Sequence, residues 1–168
     1  MSTIKIGDHV PDATLTESTE FGEFCPVAPA KISVAESVKG KRIVVFGLPG
    51  AFTPTCSAKH VPGYLANLDA LKSRKVDEVW CIAVNDGFVM AAWGQSEKAI
   101  GKIRFLGDGS ADFAKKLGLE VDLTAGGMGL RMQRFSMFLD DGVVKQLNVE
   151  AAGKFEVSNA ETMLKQLS

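Results

Sequence analysis

Cys56 ends the segment Gly47-Leu48-Pro49-Gly50-Ala51-Phe52-Thr53-Pro54-Thr55-Cys56, in which a Gly- and Pro-rich turn follows an apolar run. Thr53 is a plausible helix cap and Pro54 suits the first helical position, so the spacing predicts Cys56 in the first turn of a helix. Free backbone N–H groups and the positive end of the helix dipole favour a thiolate there. A free thiol of pKa about 8.5 is only a few per cent ionised at neutrality. Lowering it by roughly two units requires about 2.7 kcal/mol of preferential anion stabilisation. A helix terminus supplies about 0.3 to 1 kcal/mol, so a cation is also required. Arg134 is the candidate.

Thr53-Pro54-Thr55-Cys56 has the shape of a Cys-Pro-X-Cys redox motif with threonine in place of the first cysteine. One sulfur beside a hydroxyl cannot close a local disulfide, but the hydroxyl can bond a bound peroxide oxygen. An activated thiolate, a hydroxyl and adjacent N–H groups suit attack on an O–O bond, giving a sulfenic acid. The competing reading of Cys56 is a small buried apolar side chain, which carries less weight at a helix start. His60 lies four residues on, on the same helical face; it either orients the pocket or is hydrogen-bonded for structural reasons. No close cysteine pair accompanies Cys56 and His60, so a zinc site is not expected.

The elements that must position these groups follow from apolar periodicity. Arg42 to Gly47 and Val79 to Val84 are unbroken apolar runs that read as buried strands, and Ile103 to Leu106 as a third. Val61, Tyr64, Leu65, Leu68 and Leu71 recur at helical spacing, with a kink expected at Pro62. A further helix is expected from Phe88 to about Ser96. Another runs from Ala111 to Leu117, capped by Ser110 and ended by Gly118. Asp140-Asp141-Gly142 between Phe135–Leu139 and Val143–Val149 is a hairpin signal, and Asn159 caps a last helix bearing Met163, Leu164 and Leu167. The βα alternation implies a parallel sheet covered on both faces, and the hairpin adds an antiparallel edge pair, so an α/β fold with a central mixed sheet flanked by helices is expected.

At 168 residues and 46% hydrophobic content, one domain spanning residues 1–168 is expected. The net charge of -1 supplies no field for nucleic acid or an anionic membrane, so the expected partners are small molecules and other proteins. Neither an apolar leader at Met1–Asp8 nor a membrane-length apolar run occurs, and the expected location is the cytoplasm. Three widely spaced cysteines, Cys25, Cys56 and Cys81, suggest redox chemistry over structural disulfides.

Pro49-Gly50-Ala51-Phe52-Thr53-Pro54-Thr55-Cys56 resembles the active-site segment of peroxiredoxins, in particular the type-five or plant type-two subfamily. The likeness extends through His60-Val61-Pro62-Gly63-Tyr64, Val84-Asn85-Asp86, Phe88-Val89-Met90 and Arg134-Phe135-Ser136-Met137. The resemblance implies a thioredoxin-like fold, a peroxidatic Cys56, Thr53 bonding the peroxide, Pro49 shielding the thiolate and Arg134 polarising sulfur and peroxide. Backbone amides of Thr55 and Cys56 would complete the pocket, and no metal, haem or flavin is implied. Further pocket candidates are His60, Thr55, Gly50, Leu123 and Met128, the last two as an apolar wall beside a mobile Gly126-Gly127-Met128-Gly129 border.

By the same resemblance the substrates are hydrogen peroxide and organic hydroperoxides, the protein is a homodimer, and the reductant is glutathione with glutaredoxin, with thioredoxin as second choice. Cys81 is the candidate resolving cysteine, against the equal reading of an inert strand residue. The stretch Phe155-Glu156-Val157-Ser158-Asn159 holds no cysteine, and Cys25 is given no catalytic role. Arg131, Lys115 and Lys116 read as glutathione-attracting or simply solubilising. The alternative from another class is a peroxide sensor or redox-regulated holdase in which Cys56 oxidises without efficient turnover.

Overall fold

The computed structural model describes residues 3–167. Seven strands form one sheet: β1 (Thr14–Glu17), β2 (Ala30–Ser33), β3 (Arg42–Gly47), β4 (Glu78–Ala83), β5 (Arg104–Gly107), β8 (Phe135–Asp140) and β9 (Val143–Val149), in the order β2-β1-β5-β4-β3-β8-β9. Only β3, β4 and β5 run parallel; every other pairing is antiparallel. The sheet is therefore mixed, parallel where strands and helices alternate and antiparallel at the β8–β9 edge hairpin, as expected.

The continuous apolar runs make physical sense because both faces of the sheet are covered. Ile43 and Val45 of β3 face one core with Trp80 and Ile82 of β4, while Val44 and Phe46 face the other with Val79, Cys81 and Ala83. Cys56, beyond the end of β3, joins this second core with Tyr64 from α2 (Val61–Ala66) and Leu71 from α3 (Leu68–Ser73). The remaining helices are α1 (Val34–Ser37), α4 (Gly87–Ser96), α5 (Asp112–Leu117) and α6 (Ala160–Gln166).

The hairpin signal is realised as a two-residue turn, with Asp141 at φ 49° and Gly142 at φ 81°. Left-handed values at both positions match the turn type that suits strand twist, and they explain the Asp-Gly pair. Asn159 caps α6 through its side chain, which accepts from Thr162 N at 2.8 Å.

Three local expectations are corrected. The single kinked helix expected through Pro62 is a π-helical turn over Cys56–His60 followed by α2 and, after a break at Asn67, α3. Pro62 has no N–H for the helical ladder, and the wider turn lies just ahead of it: Val61 N–H reaches back five residues to the Cys56 carbonyl. Ser110 does not cap α5. Asp108 does so from further back, its buried carboxylate accepting from Phe113 N at 3.0 Å and Ala114 N at 2.9 Å. The glycine stretch 126–129 is not a free border but the tip of a hairpin formed by β6 (Glu120–Leu123) and β7 (Gly129–Met132) around a 3-10 turn, Thr124–Gly126.

Candidate active site

Strand register brings together groups far apart in sequence. Gly47, where β3 ends and the Cys56 segment begins, pairs with Phe135, so Arg134 stands beside the chain leaving β3. From there Arg134 Nη2 donates to Cys56 Sγ at 3.1 Å, across 78 residues. The guanidinium is fixed by a second bond, from Nη1 to His60 Nδ1 at 2.9 Å. Cys56 itself has no exposed surface.

The helix carrying Cys56 begins with a bond from Ser57 N–H to the Thr53 carbonyl at 2.9 Å. The N–H groups of Thr55 and Cys56 thus lie in a first turn that offers them no acceptor within the helix. Thr53 caps through this carbonyl and not, as expected, through its side chain. Its hydroxyl instead donates to the Gly50 carbonyl at 2.8 Å, which leaves the oxygen lone pairs as acceptors.

Two contacts that sequence reading did not find shape the turn before Thr53. Asn85, just past β4, accepts from Ala51 N–H at 2.9 Å. Arg131 donates through Nη1 to the Pro49 carbonyl at 3.1 Å and through Nε to the Met128 carbonyl at 2.9 Å. A Cβ on Gly50 would stand 2.5 Å from Arg131 Nη1, so glycine there is what lets the arginine reach Pro49. Arg131, expected as a surface charge, is half-buried against the turn.

Against Thr55 and Arg134, the two residues that flank Cys56 in sequence and in hydrogen bonding, lies a cavity of about 340 Å³ whose walls also include Pro49, Val121, Leu123, Glu150 and residues 151–154. Leu123 lines it as expected. Met128 does not; it sits at the β6–β7 tip, held by an N–H bond to the Leu123 carbonyl.

His60 is buried, tilted on Phe46 at 4.7 Å and edge-on to Phe155 at 5.0 Å, with Nε2 3.0 Å from the Ser158 carbonyl. A guanidinium can only donate and a carbonyl can only accept, so Nδ1 is bare and Nε2 carries the proton. Burial, reinforced by the Arg134 charge, holds its pKa down at about 3 against an ordinary 6.5. Unfolded His60 therefore binds a proton below pH 6.5 while the folded residue stays neutral until about pH 3. Its contribution to stability is complete above that upper value and is lost as pH falls through the interval. Denaturation midpoints at about pH 7 and about pH 4 are expected to fall more steeply for wild type than for His60→Gln; equal slopes would contradict the assignment.

Cys81 lies in β4 opposite Phe46, on the same face as Cys56 and without exposed surface. Burial pushes its thiol well above the ordinary value; Cys56 adds to this and Arg134 opposes it. Cys25 is exposed in the loop before β2. Among the described residues no cluster of three or more His, Cys, Asp or Glu side chains is placed to hold a metal, and no helix is long and apolar enough to cross a membrane.

Comparison with known proteins follows the same outline. The Redoxin family model matches residues 5–164. Peroxiredoxin-2B of Arabidopsis thaliana is 45% identical over 167 residues, covering 99% of this chain and 100% of that protein. The crystal structure of reduced Prx3 from Vibrio vulnificus in complex with hydrogen peroxide is 48% identical, with a TM-score of 0.90 over 99% of this chain and 100% of that one. A Burkholderia cenocepacia structure, provisionally named a thioredoxin reductase, is 52% identical with a TM-score of 0.94 over 99% of both chains. That name finds no support in this sequence, which lacks the G-x-G-x-x-G fingerprint of a dinucleotide-binding reductase. The thioredoxin-like fold expected from the motif is the fold of these peroxiredoxin neighbours.

Proposed function

The chain belongs to the Redoxin family and is a peroxiredoxin of the plant type-two kind, a thiol peroxidase, and from that premise we propose that Cys56 is the peroxidatic residue and reacts through a sulfenic acid. The observation that carries this reading is the Arg134 donor 3.1 Å from Cys56 Sγ at the first turn of a helix, where Arg134 and Thr55 both line a cavity wide enough for a small hydroperoxide.

The Cys56 thiolate attacks the terminal oxygen of the hydroperoxide. The S–O bond forms as the O–O bond breaks, sulfur is oxidised to S–OH, and the departing oxygen leaves as hydroxide or alkoxide that takes up a proton. Thr53 receives the O–H of the incoming peroxide, since its own hydrogen is already given to Gly50. Arg134 and the N–H groups of Thr55 and Cys56 stabilise the oxygen on which charge develops. Pro49, whose carbonyl Arg131 holds, lines the same cavity and is given the role of shielding the thiolate. The apolar walls Val121 and Leu123 admit alkyl hydroperoxides beside hydrogen peroxide.

An external thiol reduces the sulfenic acid, with glutathione and glutaredoxin as the donor pair and thioredoxin as the second choice. One glutathione displaces water to form a mixed disulfide, and glutaredoxin removes the glutathionyl group, returning the thiol. Cys81 is read as a core residue, because a fully buried thiol held in its protonated form is a poor attacking group. Three unpaired cysteines suit the reducing cytoplasm, and the exposed rings of Phe52 and Phe88 suit a homodimer. The test is steady-state peroxide consumption by wild type and Cys81→Ser with each donor system. Cys81→Ser is expected to turn over like wild type with glutathione and glutaredoxin; collapse with every donor, the fold being intact, would make Cys81 the resolving cysteine.

A further inference from the structure

Arg134 is held from behind by a closed ring of hydrogen bonds that meets the thiol through Arg134 itself. Its side chain bonds His60 Nδ1, His60 Nε2 donates to the Ser158 carbonyl, and Tyr64 OH donates to the same carbonyl at 3.1 Å. Ser158 in turn is gripped by Glu150, whose Oε2 accepts from Ser158 N at 2.8 Å and Ser158 Oγ at 2.7 Å. The same carboxylate accepts from Val157 N and Glu156 N, each at 2.9 Å. Glu150 N–H closes the ring by donating to the Arg134 carbonyl at 2.9 Å.

Glu150 is only 7% exposed and, among the described residues, pairs with no Lys or Arg, so its charge is met by these converging N–H and O–H donors. A carboxylate suits this role: Oε2 accepts from all four donors, and Oε1 accepts from the Glu156 N–H as well. An amide could keep its oxygen at the Oε2 position, but its NH2 would then meet the Glu156 N–H donor against donor, and the remaining bonds would lose the charge that strengthens them.

We infer that Glu150 is a positioning residue for Arg134: its carboxylate sets the 156–158 turn so that the Ser158 carbonyl holds His60 as the Nε2–H tautomer, whose bare Nδ1 aims the guanidinium at Cys56. The inference rests on the reading that Arg134 serves peroxide reduction at Cys56. It explains why the buried histidine beside the thiol is neutral: a second proton would set an N–H at Nδ1 against the donors of Arg134. It also gives the segment after β9 a task, since the chain at 150–158 adds no side chain to the thiol itself.

The experiment is the rate of Cys56 oxidation by hydrogen peroxide, followed by rapid-mixing tryptophan fluorescence, in wild type, Glu150→Gln, Glu150→Asp, Arg134→Ala and the Glu150→Gln/Arg134→Ala double variant. Glu150→Gln is expected to slow oxidation by about ten- to a hundredfold, the scale of a misplaced catalytic group. Glu150→Asp should recover part of the loss, and the double variant should be no slower than Arg134→Ala alone. A wild-type rate in Glu150→Gln, or a further full loss in the double variant, would overturn the link. An unimpaired Arg134→Ala would instead sink the assignment of Arg134 and this ring's purpose with it. Nitrogen NMR of the intact wild-type protein tests the ring without substitution: His60 should show a bare Nδ1 and a protonated Nε2 between about pH 5 and 8, and a protonated Nδ1 would overturn the proposal.

Discussion

Cys56→Ser is expected to consume no hydroperoxide above the uncatalysed background with any thiol donor, while its melting temperature stays close to that of wild type. The side chain lost is small and lies where serine fits the same space, so the fold has little to lose. The reaction, by contrast, loses its only nucleophile, because a serine hydroxyl bonded by Arg134 is not ionised at neutrality and cannot form the sulfur-oxygen bond. Residual turnover by Cys81 or Cys25 is not expected. Cys81 is sealed in β4 and kept protonated, and Cys25 stands in an exposed loop without the Arg134 donor. Coupled-enzyme assay of peroxide consumption checks this; substantial turnover by the serine variant would refute the mechanism.

Arg134→Ala carries the second largest effect: oxidation of Cys56 is expected to slow by about a hundred- to a thousandfold, the loss typical of one preorganised donor to a developing charge. The substitution removes the donor to Sγ and strips His60 Nδ1 of its partner, leaving a buried acceptor unsatisfied. Arg134→Lys should recover only part, because a single ammonium cannot bond His60 and aim a separate donor at sulfur in the planar fork the arginine uses. The rate constant for the first oxidation, measured separately from reduction, distinguishes this from a general loss of stability. Unchanged oxidation in the alanine variant would remove Arg134 from the site.

Much of this architecture was legible in the residues because it rests on short-range rules. Buried strands read as unbroken apolar runs, Asp141-Gly142 marked its own turn, and Asn159 marked its own cap. Thr53-Pro54 placed Cys56 at a helix start by steric and hydrogen-bonding preferences that act within one turn. What escaped was set by a choice among local partners or by tertiary ones. Thr53 giving its hydrogen to Gly50 and Asp108 capping α5 in place of Ser110 are contacts within three to six residues, but each is one of several partners a short polar side chain can reach, and residue type alone does not choose among them. The π-helical turn lies just ahead of Pro62, in a segment whose two ends, Cys56 and His60, are both bonded by Arg134 from 74 to 78 residues away. Arg131 read as a surface charge because its acceptor, the Pro49 carbonyl, lies 82 residues away. Glu150 gave no signal at all: a carboxylate satisfied by three successive backbone N–H groups looks in sequence like any acidic residue at a strand end.

The most direct test of the central claim is intact-mass and peptide analysis of the reduced protein after one equivalent of hydrogen peroxide, with a sulfenic-acid trapping reagent present. A single trapped oxidation is expected on the peptide containing Cys56, with Cys25 and Cys81 recovered as thiols. Trapping first at Cys25 or Cys81, or peroxide consumed with Cys56 still reduced, would contradict that claim.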